Sequence, residues 1–170
     1  LVDYSKAHNE PSWMTELRKK ALKLTETLEM PKPDKTKLRK WDFDTFKQHH
    51  TTGDAYTQLT DLPKSVKEII DVENSENLII QHNNELAYTQ VSDQAKHDGV
   101  IIEGLSEALV NHSDLVQKYF MTKAVDVDEH RLTALHTALV NGGIFVYVPK
   151  NTVVEHPIQY VVLHDDEQAS

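Results

Sequence analysis

Residues 142–162, GGIFVYVPKNTVVEHPIQYVV, alternate in runs too short and too often interrupted to be helices. Ile144, Val146 and Val148 alternate with Phe145 and Tyr147 until Pro149-Lys150-Asn151 breaks the run. Val153 and Val154 restart it, His156-Pro157 break it again, and Ile158, Tyr160 and Val162 resume. Alternation of period two marks strands, and proline and asparagine mark turns, so the spacing predicts three short strands as successive rungs of a stacked β-structure. A solenoid needs several coils before its faces are buried. The sequence ends eight residues after Val162 and begins at Leu1 rather than Met, so a fragment of a longer protein is expected.

The 170 residues are enough to bury a real core, and 39% hydrophobic with 26% charged residues is an ordinary soluble composition. No apolar run approaches the roughly 18 residues of a membrane span, and no charged-then-apolar leader opens the chain. A cytoplasmic location is expected on that basis. The absence of cysteine excludes disulfides and thiolate metal sites in this segment.

The net charge of −9 is unevenly spread: residues 1–50 carry 11 Lys/Arg against 8 Asp/Glu, whereas residues 51–170 carry 7 against 19. An acidic remainder of this kind argues against general nucleic-acid binding, which needs clustered positive charge. Lys32, Lys35, Lys37, Arg39 and Lys40 form the one basic run, and their place around Pro31 and Pro33 reads as a solvated linker.

Three segments follow from the pattern: an N-terminal arm over 1–50, an α+β domain over 51–141, and the β-structure over 142–170. In the arm, Pro11 suits a first helical position. Trp13, Leu17, Ala21, Leu24 and Leu28 then form one apolar stripe of an amphipathic helix ending near Met30. Pro31-Lys32-Pro33 stops it. Trp41, Phe43 and Phe46 are expected to anchor the arm, and 51–54 to be a loop. Within the second segment a short helix over 63–71 should bury Val66, Ile69 and Ile70. The runs 78–80 and 86–91 flank His82-Asn83-Asn84 as a hairpin, since asparagine tolerates positive φ. A strand over 100–102, a helix over 105–111, and a helix over 114–121 capped by Ser113 come next, with Leu115, Val116, Tyr119 and Phe120 inward. The last helix runs over 129–140 and stops on Gly142-Gly143.

Candidate chemistry centres on Asp126, Asp128, Glu129 and His130, with His136 beyond. His130 and His136 stand about 240° apart around a helix, whereas a two-histidine helix site wants i, i+4 spacing beside a glutamate. Asp126 or Asp128 as an N-cap explains the acidic residues without a metal. His49-His50 are adjacent in a polar loop, and His8, His82, His97, His112, His156 and His164 show no ligand spacing. Gly142-Gly143 follow a helix instead of preceding one, the wrong order for a phosphate loop. No GxSxG occurs, and Ser106 and Ser113 sit at helix starts. The residues therefore indicate no catalytic, cofactor-binding or metal site. Two alternatives stay open: a metal-dependent enzyme built on Asp126, Asp128, Glu129 and His130, and a protein-binding module using the Trp13–Leu28 stripe.

The strings EPSWMTELRKKAL (10–22), KPDKTKLRKWDFDTF (32–46), HSDLVQKYFM (112–121) and DEHRLTALHTALVNGGIFVYVPKNTVVEHPIQ (128–159) resemble the SufB/SufD family over nearly the whole chain. The RKWDF element after Pro-Lys-Pro favours the SufD side of that family over the SufB side. The resemblance implies an N-terminal domain leading into a right-handed parallel β-helix, of which only the opening is present, and a non-catalytic scaffold in iron–sulfur cluster assembly. It implies SufB-type and SufC-type subunits as partners, the latter an ATPase, through regions beyond this chain. The full complex would handle the cluster, with no cofactor held by these residues. Self-association through an open strand edge is a further expectation.

Overall fold

The computed structural model describes residues 1–43, 45 and 55–166, with the Arg39 side chain left aside. The expectations for Phe46, for His49 and His50 and for the 51–54 loop fall outside these residues. In chain order the elements are α1 (Val2–Ala7), α2 (Ser12–Leu24), α3 (Lys64–Lys67), β1 (Asn77–His82), β2 (Glu85–Gln90) and α4 (Asp93–His97). Then come β3 (Ile101–Gly104), α5 (Leu105–Asn111), α6 (Ser113–Tyr119), α7 (Arg131–Leu139), β4 (Ile144–Tyr147) and β5 (Ile158–Leu163). The fold is α+β. Its two compact units interleave in sequence, the first built from 1–45 and 106–141 and the second from 46–105 and 142–170.

The first unit packs α2 against α7. The line of α2 that is fully buried is Met14, Arg18 and Ala21, turned one residue from the expected stripe. Trp13, Leu17 and Leu24 are only half-buried along its flank, and half-buried Leu28 lies beyond the helix, which ends at Leu24 and not near Met30. Two alanines, Ala21 and Ala138, meet in the core with Val127, and Leu17, Leu24, Met121 and Leu139 close over them. Small residues let the helices approach closely, which pushes the larger leucines to the edges of the seam. Pro11 is the N-cap of α2, one place before the expected position, with extended backbone at φ −63° and ψ 150°.

Arg18 shows why the sequence pattern was offset. Its guanidinium donates from Nε to Glu10 Oε2 (2.9 Å), from Nη2 to Glu10 Oε1 (2.6 Å) and from Nη1 to the Ala138 carbonyl (2.9 Å). Ser5 Oγ donates to the same Glu10 Oε2 at 2.7 Å, and the guanidinium lies 5.1 Å from the Tyr4 ring centre. The Arg18 and Glu10 side chains are 3% and 5% exposed. A bidentate, hydrogen-bonded pair of this kind can occupy a buried line that a lone charge cannot.

Several expectations in this unit are corrected. Ser113 does not cap α6; it is the first helical residue, and its Oγ accepts from Trp13 Nε1 at 2.9 Å. Tyr119 is 43% exposed, its ring covered by the Lys118 ammonium at 4.9 Å, while Val116 alone of the four expected residues is fully buried. Trp41 is 64% exposed and stacks on Phe43, so it is not a buried anchor. Helix α7 ends before the paired glycines because Val140 turns to extended backbone (φ −51°, ψ 125°).

In the second unit β1 is the middle strand of a β2-β1-β5 sheet. It pairs antiparallel with β2 through a turn at Asn83 (φ 55°) and Asn84, as the asparagines implied. It pairs parallel with β5, Asn77 opposite Ile158 through His82 opposite Leu163. A strand paired on both edges and packed on both faces is apolar without alternation, which is why Leu78, Ile79 and Ile80 are all buried. Leu78 and Ile80 pack on Leu62, Val66, Ile70 and Ala87, and Ile79 on Ala95, Val100 and Ile102. Helix α3 is one turn long, and Ile69, beyond its end, is 67% exposed instead of inward.

The 142–162 stretch forms two strands, not three. Strand β4 pairs antiparallel with β3 in a separate two-stranded sheet, and β5 belongs to the sheet of β1. No strand forms over 149–157, where two prolines lack N–H donors and Asn151 adopts φ 66°. Val153 there is 76% exposed, while Val154 packs on the Ile79 core. Gly142 serves close approach and not helix capping: a Cβ at this position would lie 2.2 Å from the Asn84 carbonyl oxygen.

Three variants test these contacts. Glu10→Ala strands the Arg18 charge and should cost about 3–5 kcal/mol. The double variant Glu10→Ala/Arg18→Met should recover much of that, read from urea midpoints; purely additive losses would contradict the pairing. Gly142→Ala should cost roughly 1–3 kcal/mol through overpacking against the hairpin turn. An unchanged midpoint would show that the turn yields freely.

Candidate functional site

The acidic segment before α7 is organised by a histidine. His130 is the N-cap, in place of the expected Asp126 or Asp128, and its Nδ1 accepts from the Thr133 backbone N–H at 3.1 Å. Thr133 Oγ1 accepts in return from the His130 backbone N–H at 3.1 Å. This reciprocal capping box needs a threonine at the third helical position, a signal present in the sequence as Thr133 but outside the aspartate N-caps expected there. Nδ1 is thereby committed to the backbone, and His136, six residues on, is exposed. Among the described residues no group of three or more His, Asp or Glu side chains converges as a metal site.

Polar side chains gather instead at the two ends of β5. At its start, the buried Asn77 donates from Nδ2 to the His156 carbonyl (3.1 Å) and accepts from the Ser92 N–H (2.9 Å). His156 Nε2 lies 3.1 Å from Glu76 Oε2. Gln159 reaches back to the turn before β1, donating to the carbonyls of Asp71 (2.8 Å) and Asn74 (3.0 Å) and accepting from the Asp71 N–H (2.8 Å).

Beyond the end of β5, Asn83 and Asp165 bond reciprocally. Asn83 Nδ2 donates to Asp165 Oδ1 at 3.0 Å, and the Asp165 N–H donates to Asn83 Oδ1 at 3.2 Å. The Asn83 N–H also donates to the Leu163 carbonyl at 2.8 Å. His82, buried beside this pair, places Nε2 2.8 Å from Asp165 Oδ2, although neither ring nitrogen has an aligned hydrogen bond. The His82 imidazole first, and the Asn83 amide second, hold the Asp165 carboxyl below its ordinary value.

These groups can hold a strand in register, and they contain no nucleophile with a base beside it. In the sequence Asn83 is legible only as a turn residue, and Asp165 carries no local signal. Their coupling spans 82 residues, and no local spacing announces it. The surface next to them is partly apolar: Tyr160 and Val162 on β5 are 42% and 39% exposed. Strand β5 is also an outer strand of its sheet, so its second backbone edge has no strand partner among the described residues.

The sequence that builds this α+β region matches a known family. The SufBD protein N-terminal region matches residues 4–160, and the chain belongs to that family. It is similar to the iron-sulfur cluster assembly protein SufD of Bacillus subtilis (strain 168), 46% identical over 171 residues, covering 100% of this chain and 39% of that protein. An iron-sulfur cluster assembly SufBD family protein of Mycobacterium tuberculosis (strain ATCC 25618 / H37Rv) is 30% identical over 167 residues, covering 92% of this chain and 20% of its own length. One from Staphylococcus epidermidis (strain ATCC 12228 / FDA PCI 1200) is 28% identical over 169 residues, covering 94% of this chain and 36% of its own. The chain thus spans well under half the length of these relatives. Among the described residues, no helix is long and apolar enough to cross a membrane.

The Asp165 latch predicts a pH dependence. A carboxyl whose value is lowered on folding contributes stability that is present above its unfolded value and lost as pH falls through the folded one. Asp165→Asn should therefore lower Tm at neutral pH, and the gap to the parent chain should close on acidification through the lowered Asp165 value. A gap constant from neutral to acid pH would rule out a charge-dependent latch.

Proposed function

We propose that this chain is the N-terminal part of a non-catalytic scaffold subunit of an iron–sulfur cluster assembly complex of the SufBCD type. The observation that carries the reading is the 46% identity to a SufD protein along the full chain. In this reading the longer protein continues from β5 into a right-handed parallel β-helix. The parallel pairing of β5 with β1 and its second edge, unpaired among the described residues, support that continuation. A SufB-type subunit pairs through the β-helix, and a SufC-type ATPase docks on a region still further along. The cluster is cargo of the complex, and its cysteine and histidine ligands lie outside these residues, which contain no cysteine. Thiolates are the usual ligands of such clusters. The location proposed is the cytoplasm.

The test uses the full-length protein co-expressed with its SufB-type and SufC-type partners. Replacing Asp126, Asp128 and Glu129 by Ala, and His130 by Ser to keep a capping oxygen, should leave complex yield and bound iron unchanged. Loss of a stoichiometric metal together with loss of function would overturn the scaffold reading in favour of an enzyme built on those four residues.

A further inference from the structure

The first unit carries a surface groove of about 950 Å³ between the segment that follows α2 and the start of α7. Pro31, Pro33, Leu38, Trp41 and Phe43 supply its apolar lining. The groove is anchored at its back, where the Arg131 N–H donates to the Glu29 carbonyl at 2.9 Å. A 3-10 turn over Leu38–Lys40, closed by the Trp41 N–H donating to the Leu38 carbonyl (2.9 Å), presents the indole outward. Trp41 is 64% exposed and is held by stacking on Phe43, with ring centres 6.1 Å apart and planes 11° off parallel. A large aromatic surface fixed in place but left in water is typical of a contact that awaits a partner.

The charges around it point to the partner's chemistry. Lys32 is answered by Glu29 at 2.7 Å. Lys37, which lines the groove, and Lys35 and Lys40, its near neighbours in sequence, are exposed and have no ion-pair partner among the described residues. These three cations stand in a chain whose net charge is −9, so they are a local exception to its overall field.

We propose that this groove docks an acidic peptide segment of a partner protein. An aromatic or leucine side chain enters the cleft lined by Pro31, Pro33 and Trp41, and flanking carboxylates meet Lys35, Lys37 and Lys40. A nucleic acid fits less well. The lining mixes Glu29 and Asp42 with Lys32, Lys37 and Arg131, so it lacks the continuous positive charge that closely spaced phosphates need, whereas a peptide can place its carboxylates on the lysine side alone. The apolar walls supply the anchor pocket, and the lysines supply orientation and rate of encounter.

The experiment titrates the full chain, in a Trp13→Phe background so that Trp41 alone reports, with a fluorescein-labelled peptide of about a dozen residues, mostly glutamate around a central Leu-Phe pair. Expected are saturable binding that weakens with added salt and a blue shift of Trp41 emission. Affinity should fall about tenfold or more in Lys35→Glu/Lys37→Glu/Lys40→Glu and in Trp41→Ala. These side chains are exposed, so both variants should keep the parent's circular dichroism and Tm. Four results would overturn the proposal: no saturable binding at millimolar peptide, unchanged affinity in the variants, equal affinity for a peptide with Ser-Ser at its centre, or tighter binding of oligo-dT. The last would make the groove a nucleic-acid site.

Discussion

Taking a guanidinium out of water is among the costliest things a small helical unit can do, and the first unit is arranged around doing it. Arg18 collects Glu10 from the turn before α2, the Ala138 carbonyl from the last turn of α7 and the Tyr4 face from α1. Glu10 in turn holds Ser5. One charged pair thereby fixes the mutual placement of three helices whose apolar contacts alone, mostly alanine and half-buried leucine, specify orientation weakly. Replacing both charges by apolar groups could match the stability of such a pair. What the pair adds is that other packings of the same helices leave a buried charge unanswered.

The second unit solves a different problem by a related device. Its middle strand needs a parallel neighbour, and parallel pairing has no tight turn to set its register. Asn77 and Gln159 at one end, and Asn83 with Asp165 at the other, bond across the seam to positions that only one register satisfies. A slip of one residue would break all of these and turn the apolar side chains of β5 to the wrong face. Gly142 adds a steric condition at the same hairpin, admitting the Asn84 carbonyl where any side chain would collide.

Local chemistry was legible in the sequence wherever neighbouring residues sufficed to define it. The Asn83 turn, the strands around it, the 105–111 helix and the breaks at Pro31 and Pro149 all come from short-range preferences of asparagine, proline and alternating apolar residues. Errors arose where a distant partner decided the outcome. Arg18 lies beside the Trp13–Leu28 stripe and looks like a solvent-facing residue until Glu10 and Ala138 are brought to it. Ile69 completes an inward pattern only if α3 continues, and it stops after one turn. The middle expected rung at Val153-Val154 has the right composition but is trapped between a proline and a positive-φ asparagine on one side and a second proline on the other. The latch at Asp165 could not be read at all, because its partners precede it by 82 and 83 residues.

The treatment of strand edges connects the fold to the proposed role. Outer strands of natural sheets are commonly protected by lysine, proline or a bulge. Strand β2, the other outer strand, carries a register irregularity opposite Ile80 and Gln81 and exposes Glu85 and Thr89. Strand β5, IQYVVL, has neither charge nor proline, pairs without interruption along six residues, and leaves Tyr160 and Val162 part-exposed. Pinned at both ends, β5 presents a straight, ordered edge with no strand partner among the described residues. Under the proposed function, the polar pins fix that edge so that a further strand can be laid against it in one register.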